Sequence, residues 1–288
     1  MPDPLIILFG LGVGILVGTT GMGGGSLMTP LLILVFGVKP VIAVGTDLAY
    51  AAVTKTVGGW RHWRQGTVQL SLSLWLAVGS VPGALGGVWL LEYLDLGDSL
   101  LILIAGSLLL CGGLVLLRAL MGDGEGERTD VPLGRRQKAA AVALGGSVGC
   151  VLGVTSAGSG TLIAIGLILG FRLTPRRVVG TDVHHAAILL WAAAAAHVVA
   201  GNVDFLLAAT ILIGSLPGVW IGTGLSAKLP ERGLRPALGI VLLASGLGLL
   251  TKAGVAIPAT VLVAVPIALG AIAFALLRTP RADAEVTA

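Results

Sequence analysis

Two glycine-dense breaks and two aspartates hold the residues of this chain whose types and spacing could do chemistry. The first break, Gly18 to Pro30, reads GTTGMGGGSLMTP, and the second, Thr155 to Thr161, reads TSAGSGT. Glycine inside a helix costs roughly 0.5–1 kcal/mol relative to alanine, so Gly21, Gly23, Gly24 and Gly25 should stop one helix near Thr20 and let another begin at about Ser26. Ser26 is a suitable N-cap for the new helix. The unpaired N–H groups of its first turn then face the break together with the positive end of the helix dipole, which is the chemistry of an anion site. The candidate binding residues are therefore Gly23, Gly24, Gly25 and Ser26 in the first break and Gly158, Ser159, Gly160 and Thr161 in the second. Close helix packing is the competing reading of the glycines.

Asp47 and Asp182 are the carboxylates that lie deep inside apolar segments. A carboxylate there costs roughly 2.5–3.5 kcal/mol on insertion scales, so it needs a partner, a wet cavity or a proton. They could couple a proton or a sodium ion, line the pathway, or cap a helix that Gly45 or Gly180 restarts. Tyr50 and His185 follow about one helical turn later and join them as coupling or pathway candidates. His184, His185 and His197 titrate near neutral pH but lack the i, i+4 spacing of a helical zinc pair, so no metal or other cofactor is expected. Lys55, within two turns of Arg61, is expected to snorkel to the membrane surface. Cys111 and Cys150 read as packing residues.

These residues sit on a repeat. Slid against itself by 135 positions, the sequence stays in register from about Gly10 to Gly87. The offset pairs Gly45-Thr46-Asp47 with Gly180-Thr181-Asp182, His62 with His197, and Gly79-Ser80-Val81-Pro82-Gly83 with Gly214-Ser215-Leu216-Pro217-Gly218. Each half reads as five apolar segments: roughly 5–20, 26–37, 40–60, 67–93 and 98–120, then 139–155, 160–171, 176–200, 203–227 and 233–253, with an unpartnered run at 255–277. The expected organisation is a first transmembrane repeat at 1–120, a cytoplasmic linker at 121–138, a second repeat at 139–254, and an extra helix with a tail at 255–288. The ladders Gly10, Gly14, Gly18 and Gly79, Gly83, Gly87, with their repeat mates, read as helix packing within one chain or in a homodimer.

A mean hydropathy of +1.00, 56% hydrophobic and 11% charged residues exclude an ordinary soluble domain, in which about 25% are charged. The basic residues occupy short gaps between apolar runs and form no stripe for nucleic acid. With the N-terminus outside, the inner gaps hold fifteen Lys and Arg residues and the outer gaps only Lys39 and Lys252, Lys55 lying within a segment. An odd segment count then sets the halves in opposite orientations, N-out and C-in. The segments at 26–37 and 160–171 span roughly 18 Å at 1.5 Å per residue against a core of about 30 Å, so segments one and two of each half read as a Gly-broken, re-entrant hairpin. The fold class is an all-α polytopic membrane protein of two inverted repeats. Trp60, Trp63, Trp89 and Tyr93 are expected as interface anchors.

The motifs GTTGMGGGSLMTPLL, VGTDLAYAAVTK and GSVPGALGG, with the echoes GVTSAGSGTL, VVGTDVHHA, HVVAGNVD and GSLPGVWIG, are similar to those of the sulfite exporter TauE/SafE family of membrane transporters. The resemblance implies a multi-pass carrier of the bacterial or archaeal cytoplasmic membrane that moves sulfite, sulfonates or related organosulfur anions. The second break departs from the family's pattern, with Ser156 and Ser159 in place of glycines and Ile165 in place of the proline. The residues themselves describe a secondary carrier with its site near the membrane middle. A passive anion channel is the alternative, and a membrane-embedded enzyme would need a denser set of catalytic groups.

Overall fold

The computed structural model describes residues 4–20, 25–94, 96–97, 99–120, 128–226 and 231–278. Among them the chain forms eleven helices: α1 Pro4–Thr20, α2 Gly25–Leu34, α3 Pro40–Arg64, α4 Leu70–Leu94, α5 Ser99–Leu120, α6 Arg135–Thr155, α7 Ser159–Leu169, α8 Pro175–Val199, α9 Phe205–Ser226, α10 Glu231–Lys252 and α11 Ala259–Arg278. Helices α4, α5, α6, α8 and α9 are each long and apolar enough to cross a membrane. The 10 residues of α2 and 11 of α7 span only about 15–17 Å at 1.5 Å per residue.

Pro40 and Pro175 open α3 and α8, where a fixed φ and a missing N–H suit the first helical turn. Both helices then run unbroken through Gly45 and Gly180. The aspartates that follow are thus helix-interior residues, and the capping role considered for them is excluded. Helix α6 begins at Arg135, earlier than the apolar pattern indicates. Its polar first turn is held from outside, with the Lys138 ammonium 5.0 Å from the centre of the Trp75 ring.

Contacts made by one half recur in the other with the partners exchanged. Helix α4 packs on α6 as α1 packs on α9, while α3 crosses α8 and α5 meets α10. The glycine ladders form these seams. A methyl built on Gly79, Gly83 or Gly87 would strike the backbone of Val142, Gly146 or Cys150, and one on Gly214, Gly218 or Gly222 that of Ile7, Leu11 or Ile15. The offset of 135 relates every one of these pairs.

The Gly-Thr-Asp triplets explain themselves in the same way. Gly45 leaves room for the Asn202 backbone, and Gly180 for Thr67, whose carbonyl oxygen would lie 2.6 Å from an added methyl. The next residue caps the incoming loop: Thr46 Oγ1 accepts from the Asp204 N–H at 3.0 Å and Thr181 Oγ1 from the Gln69 N–H at 3.0 Å. Each triplet thereby fixes the start of a helix in the other half and sets its aspartate one residue beyond.

Residues 128–133 close one end of the molecule. Arg128 pairs with the backbone at Arg172 and Thr174, Gln69 Nε2 donates to the Val131 carbonyl at 2.8 Å, and Arg177 donates to the Gly66 and Val68 carbonyls while pairing with Asp130 at 3.2 Å.

Candidate functional site

Asp47 is fully buried in α3, and both α2 and the residue that ends α6 reach it. Thr29 Oγ1, one turn into α2, donates to Asp47 Oδ2 at 2.6 Å, and Ser156 Oγ, at the second break, donates to the same oxygen at 2.6 Å. Hydrogen bonds to a charged acceptor contribute about 1.5–3 kcal/mol each, enough together to offset the burial of one carboxylate. Asp47 Oδ1 has no hydrogen-bond partner.

The geometry of the second break aims Ser156 at this carboxylate. Ser156 ends α6 in the left-handed region, φ 58°, a conformation that costs a non-glycine residue about 1–2 kcal/mol. Its N–H still closes onto the Leu152 carbonyl at 2.7 Å, and the side chain is left to leave the helix sideways. Gly158 follows with φ 105° and starts α7 with no side chain capping it. Ser159 and Thr161 are buried in the first turn and Gly160 is half-buried. Helix α7 therefore begins three residues beyond the serine that bonds Asp47, at the tip of the second break. His197 braces that tip from α8, donating from Nε2 to the Gly153 carbonyl at 2.9 Å.

Of the first break, Gly23 and Gly24 lie outside the described residues, and Gly25 and Ser26 open α2.

The second aspartate has different company. The offset of 135 replaces Thr29 by Ala164 and Ser156 by Gly21, so neither hydroxyl that holds Asp47 has a counterpart around Asp182. Asp182 is buried and interacts with the Lys55 ammonium across the α3–α8 contact. Lys55 is 7% exposed, which corrects the expectation that it snorkels. His185, the mate of Tyr50, bonds Ser80 Oγ through Nε2 at 2.8 Å, and His184 bonds Ser73 Oγ at 2.8 Å. The three histidines thus serve three separate partners and do not gather around a common point.

Thr29, Ser80 and Ser215 are site-lining residues that sequence reasoning did not single out. Ser80 and Ser215 had a signal, standing in the matched Gly-Ser-Val/Leu-Pro-Gly motifs. Thr29 had none beyond its place before Pro30.

Comparison with known proteins agrees with this architecture. Residues 6–249 match the sulfite exporter TauE/SafE family. A probable membrane transporter protein of Bacillus subtilis (strain 168), YjnA, is 39% identical over 251 residues, covering 85% of this chain and 98% of its own. A second from the same organism, YdhB, is 30% identical over 246 residues, 85% of this chain and 99% of its own. A probable membrane transporter protein of Xylella fastidiosa (strain 9a5c) is 29% identical over 227 residues, 78% and 85% of the two chains. No solved structure matches the chain. With most of its length covered by the match and its helices long and apolar enough to span a bilayer several times, the chain is a multi-pass membrane protein that belongs to the sulfite exporter TauE/SafE family of membrane transporters.

Proposed function

We propose that this transporter is a secondary carrier of small sulfur-containing oxyanions, sulfite, sulfonates or related organosulfur anions, working by alternating access across the cytoplasmic membrane with its N-terminus outside and its C-terminus inside. The observation that carries the reading is the convergence of α2 and the second break on Asp47 through Thr29 and Ser156. One buried carboxylate thereby ties the two halves together at the uncapped start of α7. Displacing either hairpin breaks a short hydrogen bond at the same oxygen, so occupancy of the tip and the relative position of the halves are linked. The first-turn N–H groups at Gly158 to Thr161 supply the anion donors, and in the first half the matching residues are Gly23 to Ser26. The exchanged contacts between halves support rocking of one against the other about the α3–α8 crossing. The basic residues gathered in alternate gaps support the orientation.

An oxyanion beside Asp47 meets a negative charge, so the cycle needs a compensating proton or sodium ion. The test is a panel of sulfite, sulfate, taurine and thiosulfate in proteoliposomes of the purified protein under imposed pH and sodium gradients. A carrier of this class gives saturable flux with at least one sulfur anion, accelerated by one of the gradients. Flux that is linear in concentration and indifferent to both gradients contradicts the carrier reading and indicates a channel.

A further inference from the structure

Trp191 Nε1 on α8 donates to Thr56 Oγ1 on α3 at 2.8 Å, and the two residues are 135 positions apart. Each thus meets its own repeat mate, which marks this crossing as the centre about which the halves are related. A swing of one half against the other moves side chains least here and most at the ends of α3 and α8. Residues 128–133 lie across one of those ends. Arg128 donates its N–H to the Arg172 carbonyl at 2.7 Å, and its own carbonyl accepts from the Thr174 N–H at 3.1 Å, which fastens this strap to the loop between α7 and α8. The Val131 carbonyl accepts from Gln69 Nε2 at 2.8 Å, which fastens it to the start of α4. Val131 itself is buried in one apolar core with Leu72 of α4, Leu167 of α7 and Leu173.

Arg177, in the first turn of α8, joins the pieces. One nitrogen of its guanidinium donates to the Gly66 and Val68 carbonyls at 3.0 and 3.1 Å, and the other pairs with Asp130 of the strap at 3.2 Å. A rigid fork with five donors holds several acceptors at once, so a loop of the first half, the strap and a helix of the second half are tied through one side chain. The opposite end is built differently. The offset of 135 replaces Arg177 by Ile42 and Arg172 by Gly37, and it gives Gln69 the mate Asp204, whose carboxylate turns to its own helix and accepts from the Leu207 N–H at 2.9 Å. There the halves meet through Asn202 Nδ2 on Glu92 Oε1 at 2.5 Å and Lys252 Nζ on the Ile33 carbonyl at 2.6 Å, two bonds that share no residue.

We propose that residues 128–133, closed by Arg177, are a latch on the end of the molecule that the orientation above places inside, and that this end opens only after the latch lets go. The part it plays in transport rests on the carrier reading above; its control of access to the second break does not. An ion pair open to water is weak on its own, and the Arg177 and Asp130 side chains are 22% and 68% exposed, so the polar bonds of the latch break and re-form while the buried Val131 keeps the strap in place. Because one guanidinium serves both loops and the strap, they come apart together, and this end opens as a unit.

Cys111 supplies the reporter. It is fully buried, and its Sγ lies 3.5 Å from where a methyl on Gly158 would stand, so its alkylation reads access to the second break. The experiment measures the rate at which N-ethylmaleimide labels Cys111 in purified full-length Cys150→Ser protein, with no anion present. Adding Arg177→Gln should speed labelling several-fold, whereas Arg176→Gln, which removes the same charge one residue away, should label as the parent does. Gly214→Ala, whose methyl meets the Ile7 backbone in a seam the latch does not touch, is the control for general loosening and should also label as the parent. Equal rates in Arg177→Gln and the parent overturn the proposal, as does acceleration of the same size in Arg176→Gln or Gly214→Ala. If Arg177→Gln gives no monodisperse protein, Asp130→Ala takes its place in the comparison. A second arm places Asp130→Cys and Arg177→Cys in a Cys111→Ala, Cys150→Ser background in proteoliposomes and bridges them with a short bifunctional disulfide-forming reagent. Bridging should stop sulfite counterflow and reductant restore it, and undiminished counterflow in the bridged protein overturns the latch. Absence of counterflow before bridging defeats the carrier reading instead, and the labelling rates then decide the latch.

Discussion

Gly79 and Gly86 lie two turns apart on α4, and replacing each with alanine should move stability in opposite directions. At Gly79 the new methyl would overlap the Val142 carbonyl oxygen and sit 2.8 Å from the Val142 carbonyl carbon and 2.9 Å from the Gly146 nitrogen. Ordinary contact between such atoms is about 3.5–4 Å, and all three belong to the backbone of α6. They yield only if the whole helix backs away by about 1 Å. Overpacking of this kind costs about 1–3 kcal/mol, against about 0.5–1 kcal/mol returned by the helical preference of alanine. At Gly86 nothing lies within 4 Å, so only the favourable part remains. At about 2–4 °C per kcal/mol for chains of this size order, Gly79→Ala, with a net cost of about 0.5–2 kcal/mol, should lower the melting temperature by about 1–8 °C and Gly86→Ala raise it by about 1–4 °C. The repeat adds a second constraint. A methyl on Gly214 would sit 2.8 Å from the Leu11 nitrogen and 2.9 Å from the Ile7 carbonyl carbon, so the melting temperature of Gly214→Ala should fall by nearly the same amount as that of Gly79→Ala. The assay is thermal unfolding of the purified protein in detergent, followed by loss of the monodisperse peak. Equal shifts for Gly79→Ala and Gly86→Ala would refute the reasoning that these seams are built on glycine, and a neutral Gly214→Ala would refute the equivalence of the two seams.

Other substitutions test the site and its supports. Thr29→Ala and Ser156→Ala should each cost about 1.5–3 kcal/mol in the same unfolding assay; in an Asp47→Asn background each should cost less than about 1 kcal/mol, and undiminished costs there would separate the hydroxyls from the carboxylate. Lys55→Met removes the charge that acts on buried Asp182 and should change stability less in an Asp182→Asn background than in the wild type; equal effects in the two backgrounds would show that Lys55 acts through packing alone. Thr46→Val and Thr181→Val each remove one cap on the opposite half and should cost about 0.5–1.5 kcal/mol apiece, and a large inequality would argue against matched roles.

Self-comparison made the architecture legible because the residues that fix helix ends and seams are the ones the halves share. The Thr20 stop, the proline starts at 40 and 175, and the ladders at Gly79 and Gly145 all recur at the offset, and the helices fall within a few residues of the apolar runs. The start of α6 was hidden because Arg135, Arg136 and Lys138 are good helix formers that a hydropathy pattern discards. Lys55 was misplaced for a related reason. A lysine near a helix end snorkels by default, and what surrounds it here comes from α8, where Asp182, the buried carboxylate that acts on it, lies 127 residues further along the chain. The candidate site was only half legible. Asp47 and Asp182 stand out through repetition, but Thr29 and Ser156, which distinguish them, are the positions where repetition fails, Thr29 against Ala164 and Ser156 against Gly21. A comparison that rewards identity cannot find them, and the hydrogen bonds they make join residues 18 and 109 positions apart.

The most direct measurement of the central claim is counterflow of 35S-sulfite into proteoliposomes preloaded with unlabelled sulfite, with wild type and Ser159→Leu reconstituted to equal density. Ser159 opens α7 three residues beyond the serine that bonds Asp47, and a leucine there would set an apolar side chain at the uncapped N–H groups. The account predicts a transient overshoot of label in the wild type and none in the variant, with both proteins folded. Wild-type uptake indifferent to internal sulfite, or overshoot of equal size in Ser159→Leu, would contradict it.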